Sequence, residues 1–99
     1  MEEIMIKHYL YDDNETPNAR YIGFAGDYGR YDLAIIQTSK FFGKSLVLNM
    51  QNNTFAIVGT DDLEELDYIE NALCFSNVQA NEVKEFLDEV ISPGWFTDY

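Results

Sequence analysis

The chain is poor in cysteine, proline and basic residues. It has one Cys, two Pro and six Lys plus Arg among 99 residues, and no apolar run reaches the ~18 residues of a membrane span. The lone thiol, Cys74, permits no internal disulfide, which fits a reducing compartment. Eighteen acids against six bases leave a net charge of −12. Nucleic-acid backbones are bound by clustered Lys and Arg, so direct contact with DNA or RNA is not expected, and anionic membrane surfaces are disfavoured for the same reason. The opening residues turn polar too soon for a signal peptide. A cytoplasmic protein follows as the expectation.

Chemical motifs are scarce as well. His8 is the only histidine, and no serine or cysteine nucleophile has a local signature beside it. Residues 41–45, FFGKS, resemble the end of a phosphate-binding loop. Thr38 stands where the first glycine belongs, and a strand follows where a helix N-terminus is needed. Residues 60–67, TDDLEELD, gather five carboxylates without the alternation or glycine turn of a calcium loop. Cys74, between Leu73 and Phe75, reads as a small buried hydrophobe. No catalytic, cofactor-binding or metal-binding residue is assigned, and the chain reads as noncatalytic.

What is present is a globular composition, 46% hydrophobic and 15% aromatic, enough for one domain with its own core. Period-two alternation predicts strands over 3–11, 19–26, 31–39, 45–50 and 54–59. Asn52 and Asn53 tolerate positive φ and predict a two-residue hairpin pairing Met50 with Phe55 and Leu48 with Ile57. The last forty residues predict two helices. Asp61-x-x-Glu64 and Ser76-x-x-Gln79 resemble capping boxes. Val83, Phe86, Leu87, Val90 and Ile91 form one helical stripe, with Glu82, Glu85, Asp88 and Glu89 off it facing water. Residues 72–76 fit either the end of the first helix or a short strand.

The expected fold is therefore α+β: an antiparallel sheet of about five strands followed by two C-terminal helices packed on one face, over residues 1–92. The bulky sheet face (Leu33, Ile35, Leu46, Leu48, Met50, Phe55, Ile57) is expected to meet the helices. The opposite face would then expose Ile36, Val47 and Val58 as an association surface. Residues 93–99 form an aromatic tail whose Trp95, Phe96 and Tyr99 suit an interface. Ordering five residues costs about 5–10 kcal/mol and burying three aromatics returns about 4.5–9 kcal/mol. The tail therefore needs a preformed groove. Residues 51–99 hold eleven acids and one base, so Glu82, Glu85 and Glu89 are candidates for a basic partner.

Residues 31–66, YDLAIIQTSKFFGKSLVLNMQNNTFAIVGTDDLEEL, resemble a family of short, acidic, uncharacterised cytosolic proteins of Gram-positive bacteria, a domain of unknown function. The similarity runs from about Tyr9 to Ile91. It implies a compact cytosolic domain and supplies no activity. Three functions stay open: a noncatalytic interaction or regulatory module acting as a homo-oligomer, alone or with an unidentified protein partner; a small-molecule binder or minor enzyme with a pocket between sheet and helices; and an acidic decoy for a basic nucleic-acid-binding protein.

Overall fold

The computed structural model describes residues 8–91. Four strands, β1 (Asn18–Ala25), β2 (Arg30–Gln37), β3 (Ser45–Asn49) and β4 (Thr54–Val58), form one antiparallel sheet in the order β1-β2-β3-β4. Two helices follow, α1 (Leu66–Leu73) and α2 (Asn77–Val90). Short 3₁₀ turns at Ser39–Phe41 and Asp62–Glu64 connect β2 to β3 and lead into α1.

Both helices lie on one face of the sheet, as the sequence predicts, and the core forms between them. β2 contributes Tyr31, Leu33 and Ile35, β3 Val47, and β4 Ala56 and Val58. Ile69 and Leu73 descend from α1, and Ala80, Val83, Leu87 and Val90 from α2, with Ile91 just beyond it. Each fully buried Leu, Ile or Val contributes about 1.5–3 kcal/mol, so this layer supplies most of the folding drive. The stripe on α2 is the one its spacing dictates. Ser76 caps it by accepting from Gln79 N–H at 3.3 Å, while Gln79 Oε1 accepts from Ser76 N–H at 3.1 Å.

Several boundaries differ from the sequence reading. His8–Tyr11 are not in a strand, and the rest of the predicted strand over 3–11 lies outside the described residues. The sheet therefore has four strands among the described residues. Residues 72–76 resolve as the end of α1 and a turn. Cys74 takes a left-handed backbone (φ 59°) as the C-cap and is exposed, not buried. Asp61 makes no side-chain cap. Asp62 instead accepts from Gly59 N–H at 2.8 Å and pairs with Lys44 at 2.9 Å.

The β3–β4 connection is longer than two residues. Asn49 pairs with Thr54, Leu48 with Phe55 and Leu46 with Ile57, two residues away from the predicted register. A shift of two preserves which residues share a face, because side chains alternate with period two. The cause is Asn49, which is 2% exposed. Its Oδ1 accepts from Gln51 N–H at 3.2 Å, and its carbonyl accepts from Asn53 N–H at 3.0 Å, which closes a wider turn with Asn53 left-handed (φ 62°). Its Nδ2 donates to the Leu73 carbonyl at 2.9 Å, binding the hairpin to the end of α1.

The larger correction concerns the faces. Leu33 pairs with Asn49 and Ile35 with Val47, so Leu33 and Ile35 share a face with Val47, Ala56 and Val58. The helices cover that face. Val47 and Val58, expected on an association surface, are 0% exposed in the core. Leu46, Leu48, Phe55 and Ile57 project from the uncovered side. On β3 and β4 the smaller side chains face inward, and bulk alone does not reveal the inward face.

Replacing Asn49 with Ala removes the 2.9 Å bond to the Leu73 carbonyl, which keeps only the 3.4 Å bond from Asn52 Nδ2, and removes the acceptor of Gln51 N–H, while the backbone bond from Asn53 N–H stays. Stability is expected to fall by about 2 kcal/mol, read as a lower denaturant midpoint with an unchanged slope. Val47→Asp is expected to abolish cooperative unfolding, since it places an unpaired charge in the core.

Candidate interaction surfaces

At one end of the sheet, α2 grips the β1–β2 turn. Residues Gly26–Gly29 close the hairpin with a 2.8 Å bond from Gly26 N–H to the Gly29 carbonyl. Glu82 reaches over from α2. Its Oε2 accepts from Asp27 N–H at 2.5 Å, and its Oε1 accepts from Tyr28 N–H at 3.2 Å and from the Tyr31 hydroxyl at 2.5 Å. One helical turn earlier, Gln79 Nε2 donates to the Tyr28 carbonyl at 3.1 Å. A β-carbon on Gly26 would stand 2.4 Å from the Glu82 carboxylate, so only glycine leaves the space. Behind this clamp, Phe24 stacks on Phe86 at 4.5 Å and packs on Tyr31 at 5.0 Å, with Phe75 edge-on to Tyr31 at 5.5 Å.

Glu82 is therefore half-buried and engaged by the β1–β2 turn, not simply facing water as its place off the stripe suggests. Its signal in the sequence is its position bordering the apolar stripe, three residues after Gln79. The hydrogen bond from Tyr31 holds its carboxyl below the usual range, against a smaller upward push from desolvation, with the Asp27 and Tyr28 amides assisting. Burial pushes the Tyr31 phenol well above its ordinary value, and the Glu82 hydrogen bond and charge add to this. Glu85 lines a shallow cleft of about 280 Å³ beside Asp27, Tyr28 and Asn81. Glu85 and Glu89 are exposed.

The sheet face that no described residue covers is apolar. In register across the strands lie Tyr21, Ala34, Leu48 and Phe55, and beside them Ala19, Ile36, Leu46 and Ile57. Tyr21 is 71% and Phe55 61% exposed. Ile36, predicted as an association residue, lies here and is half-buried. The charges at one end of this face are paired. Arg30 meets Asp32 at 3.2 Å, and Gln51 Nε2 donates to Asp32 at 2.9 Å. At the β4 edge, the Tyr68 hydroxyl donates to the Ile57 carbonyl at 3.0 Å and accepts from Ile57 N–H at 3.1 Å. It occupies backbone groups that would otherwise offer pairing to another strand. The face, rather than the β4 edge, is left for contact.

Phe42 also stands out from the fold. It is 97% exposed and left-handed (φ 50°), a conformation that costs a bulky residue about 1–2 kcal/mol. The tail residues Trp95, Phe96 and Tyr99 lie outside the described residues. Among the described residues, no group of three His, Cys, Asp or Glu side chains could hold a metal ion, and no helix is long and apolar enough to cross a membrane.

A sheet with both helices on one side and an apolar strip on the other defines a two-layer α+β domain. The chain belongs to the SAV0927-like family, whose model matches residues 10–89. That span contains all four strands, the clamp and the uncovered face, and it brings no assigned activity. No curated protein matches the chain.

Glu82→Gln replaces an acceptor of three donors with a neutral amide. It is expected to lower the melting midpoint at neutral pH by several degrees. A carboxyl whose folded pKa is depressed contributes stability above its ordinary pKa of 4.5, and that stability is lost as pH falls through the folded value. The variant should therefore show a shallower loss between neutral pH and the acid range. A raised phenol acts in the opposite sense, so stability should decline above pH 10.0, Tyr31's ordinary value, and Tyr31→Phe should remove that part of the decline. Phe42→Asn relieves the left-handed strain and is expected to raise stability by about 1 kcal/mol in thermal or denaturant unfolding.

Proposed function

We propose that the chain is a noncatalytic interaction module that associates with a second copy of itself through the uncovered sheet face. The supporting observation is an apolar strip, centred on Leu48 and Phe55, on a chain of net charge −12. Residues 61–91 hold ten acids and one base, Lys84, and all belong to the helical layer and its approach. The strip lies on the opposite side, with Arg30 and Asp32 paired beside it. Two copies meeting sheet to sheet turn their acidic layers outward and bury apolar surface between them. A basic partner would be drawn to the helices instead.

The dimensions set the strength. Four strands at ~4.8 Å spacing and five residues at ~3.4 Å give a footprint of roughly 330 Å². A standard interface buries about 800 Å² per partner. The sheet face alone therefore supports a weak, exchanging dimer with a two-fold axis.

Mass in solution across a concentration series is expected to show dimer formation in the micromolar range. Added salt should strengthen it by screening like charge, whereas an acidic decoy would lose its basic partner as salt rises. Phe55→Asp with Leu48→Asn should yield a monomer that keeps the parent's cooperative unfolding. A parent that stays monomeric at high concentration and high salt, or a double variant of unchanged mass, overturns the proposal.

A further inference from the structure

At the end of the sheet away from Glu82, the covered face turns polar without resolving its hydrogen bonds. Gln37 closes β2, is 7% exposed, and neither atom of its amide has a hydrogen-bond partner among the described residues. Its neighbour across the β2–β3 ladder is Ser45, which is 0% exposed, and the Ser45 hydroxyl is unpartnered too. A buried amide and hydroxyl left this way lose water hydrogen bonds and gain nothing in return. An apolar pair would serve the fold better, so the two residues point to a use other than stability.

Gln37 lines an open cleft of about 550 Å³, shared with Glu15, Thr16, Thr38, Ser39 and Lys44. That volume falls within the roughly 300–1,000 Å³ of small-molecule sites. The charges on its walls are already engaged. Lys44 pairs with Asp62 at 2.9 Å. Glu15 accepts from the Thr38 hydroxyl at 2.7 Å and from the Ser39 amide and hydroxyl at 3.3 Å. With both signs satisfied, the cleft favours no ionic ligand. The lining group still seeking partners is the Gln37 carboxamide, which offers a donor beside an acceptor.

We propose that this cleft is a binding site for a small neutral molecule with its own amide edge, an N–H donor beside a carbonyl acceptor. Such an edge pairs with the Gln37 carboxamide through two hydrogen bonds. The Gln37 amide is shielded in the free protein, so binding requires its side-chain torsions to turn the amide into the cleft. The edge could belong to a primary carboxamide or to a ring lactam. This site is independent of the association surface, which lies on the other face of the sheet.

The test uses the full chain, labelled with ¹⁵N. The Gln37 side-chain NH₂ signals are assigned by their absence in Gln37→Met. Nicotinamide and uracil serve as probes, with nicotinate and 1,3-dimethyluracil as matched controls lacking the neutral amide edge. A saturable shift of the Gln37 signals with either amide probe, and not with its control, supports the site. Response to nicotinamide alone selects a primary carboxamide, and response to uracil alone selects a lactam. Gln37→Met should weaken probe binding about tenfold or more and raise the melting midpoint of the free protein. The proposal is overturned if neither probe saturates, or if the controls bind as well. It is also overturned if Gln37→Met melts lower than the parent, which would mean that a bridging water or another group already satisfies the amide.

Discussion

The Glu82 carboxylate fixes how the two layers meet. A helix laid on a sheet can slide and rotate while it still buries its apolar stripe, because hydrophobic contact is not directional. Three hydrogen bonds from the β1–β2 turn and Tyr31 to one carboxylate remove that freedom at the helix's first turns. Because Glu82 sits close to the Ser76 cap, the capping box and the clamp act on the same rigid segment. The aromatic group of Phe24, Tyr31, Phe75 and Phe86 is then held in one arrangement. The glycine at 26 is a consequence of that carboxylate's position and not an independent requirement of the turn.

Three polar residues on the covered face have different fates. Tyr31, near the turn, has a charged partner. Asn49, at the end of β3, satisfies its amide between a turn and a helix end. Gln37, at the far end of β2, has no such partner. The same strand thus begins in a saturated network and ends in an unsatisfied one. Rigidity follows the first condition, since polar networks specify structure only where every member is paired.

The architecture was legible in the sequence because its signals were periodic. Alternation marked β1 to β4, a 3.6-residue stripe marked α2, and Ser76 and Gln79 marked its start. The inward face of β3 and β4 was not legible. Within the hairpin, the sorting of Leu48, Phe55 and Ile57 to one side was right. Which side the helices cover depends on the register between β2 and β3, and that register is set by the turn at Ser39–Phe41, whose sequence carries no comparable pattern. Long-range polar contacts were equally hidden. Glu82 looks like any acid beside a stripe, and its partners lie more than fifty residues away. Of the candidate site residues, Ile36 lies on the uncovered face and Val47 and Val58 lie in the core, a division governed by that same register.

The correction of the faces changes what the exposed surface is made of. Had Val47 and Val58 faced outward, the open side would have carried small β-branched side chains. It carries Leu46, Leu48, Phe55 and Ile57 instead, flanked by Tyr21. On β3 and β4 the inner face uses the smaller set, while β2 sends Tyr31, Leu33 and Ile35 inward. The core and the exposed strip therefore draw on different residues of the same strands, and alternation keeps them separate. The acids sort in parallel, gathered on the helical layer where mutual repulsion is screened by water. One face thus carries the apolar side chains while the helical layer keeps its charge in solvent. The β4 edge, occupied at Ile57 by Tyr68, does not offer the open strand pairing that would extend such contacts into a fibre.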